Sequence, residues 1–225
     1  RAAAARREYL DELLDLPVDD PAAAARVRRR AAQFGVDPGE EYRVLVADLG
    51  RELEDGGPEL ERAVRALARS PRSERDRTRG SDPIATTRRG RLVVLTPARG
   101  AARLELDSLL SELAGDAPWR AAVSRDVAGI AEVAGAHREA LETLAAARRA
   151  GRTGQLRAAD LLLERALLAD VPLAQQAVAQ ELAPLLAAPR NGEVLVATLG
   201  AWLAAGQSVS ATARALGVAP RTVAY

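Results

Sequence analysis

Asp48 stands at the end of the strand read in Tyr42-Arg43-Val44-Leu45-Val46-Ala47-Asp48-Leu49, and a carboxylate at a strand end is a hard oxygen donor of the kind divalent metals take. Further along, Arg88-Arg89-Gly90 reads as a turn that sets two cations side by side. Two cations there oppose a dication, while a guanidinium fork suits phosphate oxygens. The plainer alternatives stay open: Asp48 as a strand-end residue satisfied by a loop N–H, and Arg88 and Arg89 as solvated turn residues. His137 is the single histidine, flanked by Arg138 and Glu139, and reads as a partly exposed helical residue. One histidine excludes a His-cluster metal site and argues against a Ser-His-Asp triad. The absence of Cys removes disulfides, thiolate metal sites and Cys nucleophiles. No Gly-rich phosphate loop occurs, so no catalytic residue, metal ligand set or cofactor is assigned.

The elements that must position these residues follow from hydrophobic period. Residues 1–16 read as a helix through Tyr9, Leu10, Leu13 and Leu14, and residues 21–33 as a second, with Pro21 near its start. The apolar core of 42–49 is continuous, as expected of a central strand. Leu60, Val64 and Leu67 share a helical face. The Arg-rich stretch 69–83 breaks all periodicity and reads as a polar loop or a basic nucleic-acid patch. Residues 83–97 read as a hairpin, 103–113 as a helix, 119–125 as a strand starting at Trp119, and 130–149 as a long helix. Residues 155–158 complete a set of about five strands, and from Leu161 onward the pattern is helical. That order predicts an α+β domain followed by an all-α domain.

Composition narrows the function classes. The 225 residues carry 32 basic and 31 acidic side chains, a net charge of +1, so an electrostatic case for nucleic acid has to be local. Every basic residue is Arg, a bias that lowers the weight of any single exposed one. No apolar run approaches the ~18 residues of a membrane helix, and no signal peptide is visible, so no membrane partner and a cytoplasmic location are expected.

The C-terminal segment carries the local case. Val194, Leu195, Thr198, Leu199, Trp202 and Leu203 fall in pairs four apart and predict a helix with one buried stripe, ended by Gly206. Ser208 suits an N-cap for a helix over 209–216. Ala213 is small where a second helix would cross, and Gly217 tolerates a positive φ in the turn. Val218 and Val223 are expected to face inward, and Pro220 fits the first turn of the next helix. The set is that of a helix-turn-helix, although helical hairpins in general share it.

The residues from Asn191 to Tyr225 resemble the C-terminal helix-turn-helix of the PucR/CdaR family of bacterial transcriptional regulators. Ser208–Leu216 follow the family pattern closely, as do Val218, Thr222, Val223 and Tyr225. Ala219 stands where His is common, and Arg221 where Asn is common. Upstream, RREYLDELL resembles the family's linker helix, and 40–165 is similar to its central domain, a degenerate relative of the GGDEF nucleotide-cyclase fold. The resemblance implies a GGDEF-like mixed sheet with flanking helices followed by the helix-turn-helix. Its organisation would be linker helices over 1–34, a regulatory domain over 35–165 without the acidic GGDEF hairpin and hence catalytically silent, and a DNA-binding domain over 166–225.

The expected protein is therefore a homodimeric regulator that reads double-stranded promoter or operator DNA in answer to an unknown small-molecule effector. Ser210, Thr212, Arg214, Arg221, Thr222 and Tyr225 are the DNA-contact candidates, with the arginines as phosphate or base readers. Ala213, Gly217, Val218 and Val223 hold the motif. The recognition helix is expected to continue past Tyr225, so that the chain as given is truncated or its end unordered. Two alternatives remain open: a nucleotide-binding sensor or cyclase-like enzyme on residues 40–160, and a protein–protein module whose helical tail only dimerises.

Overall fold

A computed structural model describes residues 2–17, 19–69, 81–98, 106–188 and 191–224. The chain divides into two compact units, Arg1–Arg165 and Ala166–Tyr225. The Arg-rich loop lies almost entirely outside the described residues.

The first unit is built on one sheet of strands β1 (Glu41–Asp48), β2 (Ile84–Arg88), β3 (Arg91–Pro97), β4 (Arg120–Val123), β5 (Val127–Ala128) and β6 (Gly154–Arg157). The order is β2-β3-β1-β4-β6, antiparallel except for the parallel β4–β6 pair, and β5 joins β1 beyond the end of β4. Ser124 bridges that step: its Oγ accepts from the Val44 N–H at 3.0 Å and its own N–H donates to Val44 O at 2.9 Å. The sheet therefore has one strand more than the sequence pattern suggests, because a two-residue strand shows no period.

Continuous apolarity in β1 has a physical cause: both faces of the strand are covered. Val44 and Val46 enter one core with Tyr9, Leu13, Val27, Val93 and Leu144, whereas Leu45 and Ala47 enter a second with Leu60, Leu67, Leu110 and Leu113. The first face is roofed by α1 (Ala2–Leu14), α2 (Pro21–Arg30) and α5 (Val133–Arg149), the second by α3 (Pro58–Arg69) and α4 (Leu106–Ala114). Residues expected to be linker helices thus form part of the core. Tyr9 is 1% exposed, stacks on Phe34 with ring centroids 4.4 Å apart, and donates its hydroxyl to Val27 O at 2.9 Å. Trp119 packs, partly buried, against the second core.

The second unit is helical: the rest of α6 (Leu162–Ala169), then α7 (Val171–Glu181), α8 (Ala183–Leu186), α9 (Gly192–Ala204), α10 (Val209–Leu216) and α11 (Pro220–Ala224). Among its described residues only Gly192, Thr212 and Ala213 are buried. No helix among the described residues is long and apolar enough to cross a membrane.

Candidate nucleic-acid interface

The sequence positions α10 through its two ends. At the front, Ser208 lies in the extended region and its Oγ accepts from the Ala211 N–H at 3.3 Å, which satisfies one of the donors every helix start leaves open. At the rear, Gly217 takes φ +66°, and the Val218 N–H reaches back to Ala213 O at 2.9 Å. This six-to-one bond across a left-handed residue is the Schellman arrangement, and it turns the chain sharply into α11. Ala213 is 2% exposed, so the small residue sits where the helices meet. The preceding turn uses the same device: Gly206 and Gln207 both have positive φ, and the Gln207 N–H bonds Trp202 O at 2.8 Å.

The contact candidates separate into two groups. Ser210, Arg214, Arg221 and Thr222 are exposed, and no acidic side chain lies between Gln207 and Ala224. Thr212 is fully buried and its hydroxyl donates to Ser208 O at 2.8 Å. It is therefore a packing residue of the motif and is withdrawn as a DNA contact. Tyr225 lies outside the described residues. Among the residues expected to hold the motif, Val223 is half-buried but Val218 is 39% exposed, so the expectation that Val218 faces inward is corrected. The stripe of α9 is corrected too. Val194, Leu195 and Leu203 are 63%, 39% and 56% exposed, and Trp202 is only half-buried. Helical spacing shows that the residues share a face, not that anything covers it.

In the first unit the hairpin is tighter than read. Arg88 and Arg91 are paired, so only Arg89 and Gly90 form the turn, with φ of 50° and 72°. Two-residue hairpin turns with positive φ at both positions match the twist of the flanking strands. A side chain on Gly90 would press on Glu52, and the Leu53 N–H donates to Gly90 O at 3.0 Å, so the loop after β1 is tied to the turn. Arg88 is the last strand residue and is paired with the Asp15 carboxylate beyond the end of α1. Asp48 accepts from the Gly50 N–H at 3.0 Å. Among the described residues no group of three or more acidic or histidine side chains converges to hold a metal.

His137 departs from expectation. It is 8% exposed, on the covered side of α5 instead of its outer face. Burial, and then the Arg88 guanidinium, hold its imidazole down to a pKa of about 4, with Asp15 opposing and Arg89 adding to the shift. Arg138, the next residue, is exposed, so the charge beside His137 in sequence does not report its burial. The informative signal is helical: Val133, Ala134, Ala140, Leu141 and Leu144, three, four and seven residues away, lie on its own side of the helix.

Two family models match the chain: that of the GGDEF-like domain over residues 19–146, and that of the PucR C-terminal helix-turn-helix domain over residues 195–225. Among solved structures, the regulator of polyketide synthase expression from Bifidobacterium adolescentis is similar at 24% identity. The match covers 98% of this chain and 80% of that one, with a TM-score of 0.46. Comparison with the curated proteins gives no match.

Proposed function

The chain belongs to the GGDEF-like domain family and is a DNA-binding transcriptional regulator, and we propose that its two units divide that work. The second unit contacts DNA through α10 and α11, with Arg214 and Arg221 on phosphate or base edges and Ser210 and Thr222 as hydroxyl partners. Ser208 and Gly217 carry the proposal: together they cap, turn and aim a pair of short helices whose outer face is cationic and free of acids.

The first unit regulates without turnover. At Gly90 the turn approaches Glu52 closely, and its first residue, Arg89, brings positive charge where a cyclase would hold metal. The Asp48 carboxylate is already engaged by its own loop. The assembly is a homodimer, because helix-turn-helix proteins commonly read paired half-sites and the second unit leaves large apolar side chains uncovered.

Selection from a random duplex library with the full chain tests the reading. The expected outcome is enrichment of two inverted half-sites about 10 bp apart, centre to centre. No enrichment over unselected DNA would sink the DNA-reading role, and a single uninverted site would sink the dimer.

A further inference from the structure

On the first unit, a cavity of about 460 Å³ opens between the end of α1, the β2–β3 turn and α5. Small-molecule pockets fall in this range, with an apolar body and a few convergent polar groups. Val46 and Val93 of the sheet supply apolar surface. Four arginines line it, Arg88, Arg89, Arg91 and Arg138, against one carboxylate, Asp15. With His137 neutral, the lining carries three more positive charges than negative ones. Asp48 does not line it, so this is not a metal-dependent nucleotide site moved sideways.

Like charges gathered around a cavity repel unless something answers them. Among the described residues Asp15 answers only Arg88. Arg89, Arg91 and Arg138 have no ion pair among the described residues. Even Arg88 is incompletely satisfied: its Nη1 is buried with no hydrogen-bond partner. Buried donors are rarely left open in folded proteins, and those that are call for an acceptor. Guanidinium forks match the oxygens of phosphate in geometry as well as charge. A monocarboxylate would leave two cations unanswered; a phosphate dianion leaves one.

We propose that this cavity binds a small phosphate-bearing anion, held by Arg88, Arg89, Arg91 and Arg138, with His137 as a neutral hydrogen-bonding wall. As the effector site of a regulator it rests on the function proposed above; phosphate binding itself does not, and is measured without DNA.

His137, the only histidine, gives the experiment a single reporter. The charged groups that line the cavity with it are Asp15 from the end of α1, Arg88, Arg89 and Arg91 from the hairpin, and Arg138 from its own helix. Its imidazole proton resonances are followed by NMR in the full chain at constant ionic strength. The probes are inorganic phosphate, glucose 6-phosphate and citrate. A bound phosphate offsets the arginines, so the expected result is a saturable shift of the His137 resonances and a rise in the pH at which it titrates. Tighter binding of the ester assigns a metabolite, and tighter binding of inorganic phosphate assigns the free ion. The doubly substituted chain Arg89→Gln/Arg138→Gln removes two cations that have no ion pair among the described residues, and its affinity should fall about tenfold or more. Three results would overturn the proposal: no saturable shift up to about 10 mM of either phosphate, citrate binding as tightly as both, or unchanged affinity in the double variant.

Discussion

The amide of Val218 donates to the carbonyl of Ala213 at 2.9 Å, and that bond closes the turn around Gly217. A Cβ on Gly217 would meet no heavy atom within 4 Å, so the cost of adding one arises from its φ of +66° and not from a clash. Gly217→Val should cost roughly 1–3 kcal/mol, and Gly217→Ala about 1 kcal/mol. Hydrogen exchange should show protection lost in α10 and α11 and kept in the first unit. Unchanged protection at Val218 would mean that the turn does not depend on a left-handed residue.

The arginines and Thr212 should separate cleanly in a salt titration of DNA affinity. Each phosphate contact contributes about −0.9 to the slope of log K against log salt. Arg214→Gln and Arg221→Gln should each weaken binding and flatten the slope, by about one contact per protomer. Thr212→Val should leave the slope alone and appear only in thermal stability, because its hydroxyl faces Ser208 O and no solvent. A flattened slope for Thr212→Val would return it to the DNA surface.

Tyr9 tests whether α1 belongs to the regulatory core. Tyr9→Phe removes the buried bond to Val27 O and should cost about 1–2 kcal/mol in urea unfolding of the first unit. Tyr9→Ala should cost about 3–5 kcal/mol. A variant as stable as the parent would make α1 the linker that the family resemblance implies.

His137 gives the first unit an acid-sensitive component. The unfolded chain takes up this proton near pH 6.5, the folded chain only near 4. Stability from this residue is therefore full above 6.5 and is lost as pH falls toward 4, to the extent of about 3 kcal/mol. Unfolding of the parent and of His137→Gln across pH 4–7 should give a difference curve that changes in that window. A flat difference would show that the imidazole titrates alike in both states.

Much of this was legible from residue order. Val44 to Ala47 announced a central strand because a strand covered on both faces has no polar alternation to display. Ser208 and Gly217 announced the motif because caps and left-handed turns are local chemistry. What stayed hidden depends on which side of an element is covered. His137 was read from its charged sequence neighbours when its burial follows from residues three and four away. Thr212 looked like a surface hydroxyl because a threonine bonded to its own helix has the same spelling as one that faces DNA. The stripe of α9 could be seen, but not its want of a cover within the described chain.

The two-sided burial of β1 also sets an order of events during synthesis. The strand emerges at residues 41–48, yet its neighbours in the sheet are 91–97 and 120–123, and one of its roofs is the helix 133–149. Pairing over such separations requires large loops to close first, which slows folding. The β2–β3 hairpin is the local piece and can form early; within the sheet it can pair only with β1, while α1 and α3, made before it, pack against β2. Until the ribosome has passed Arg149, the segment Val44-Leu45-Val46-Ala47 is an apolar, β-prone stretch without its full set of partners. A nascent chain stalled before that point is therefore the form of this protein most exposed to sticking to its own kind.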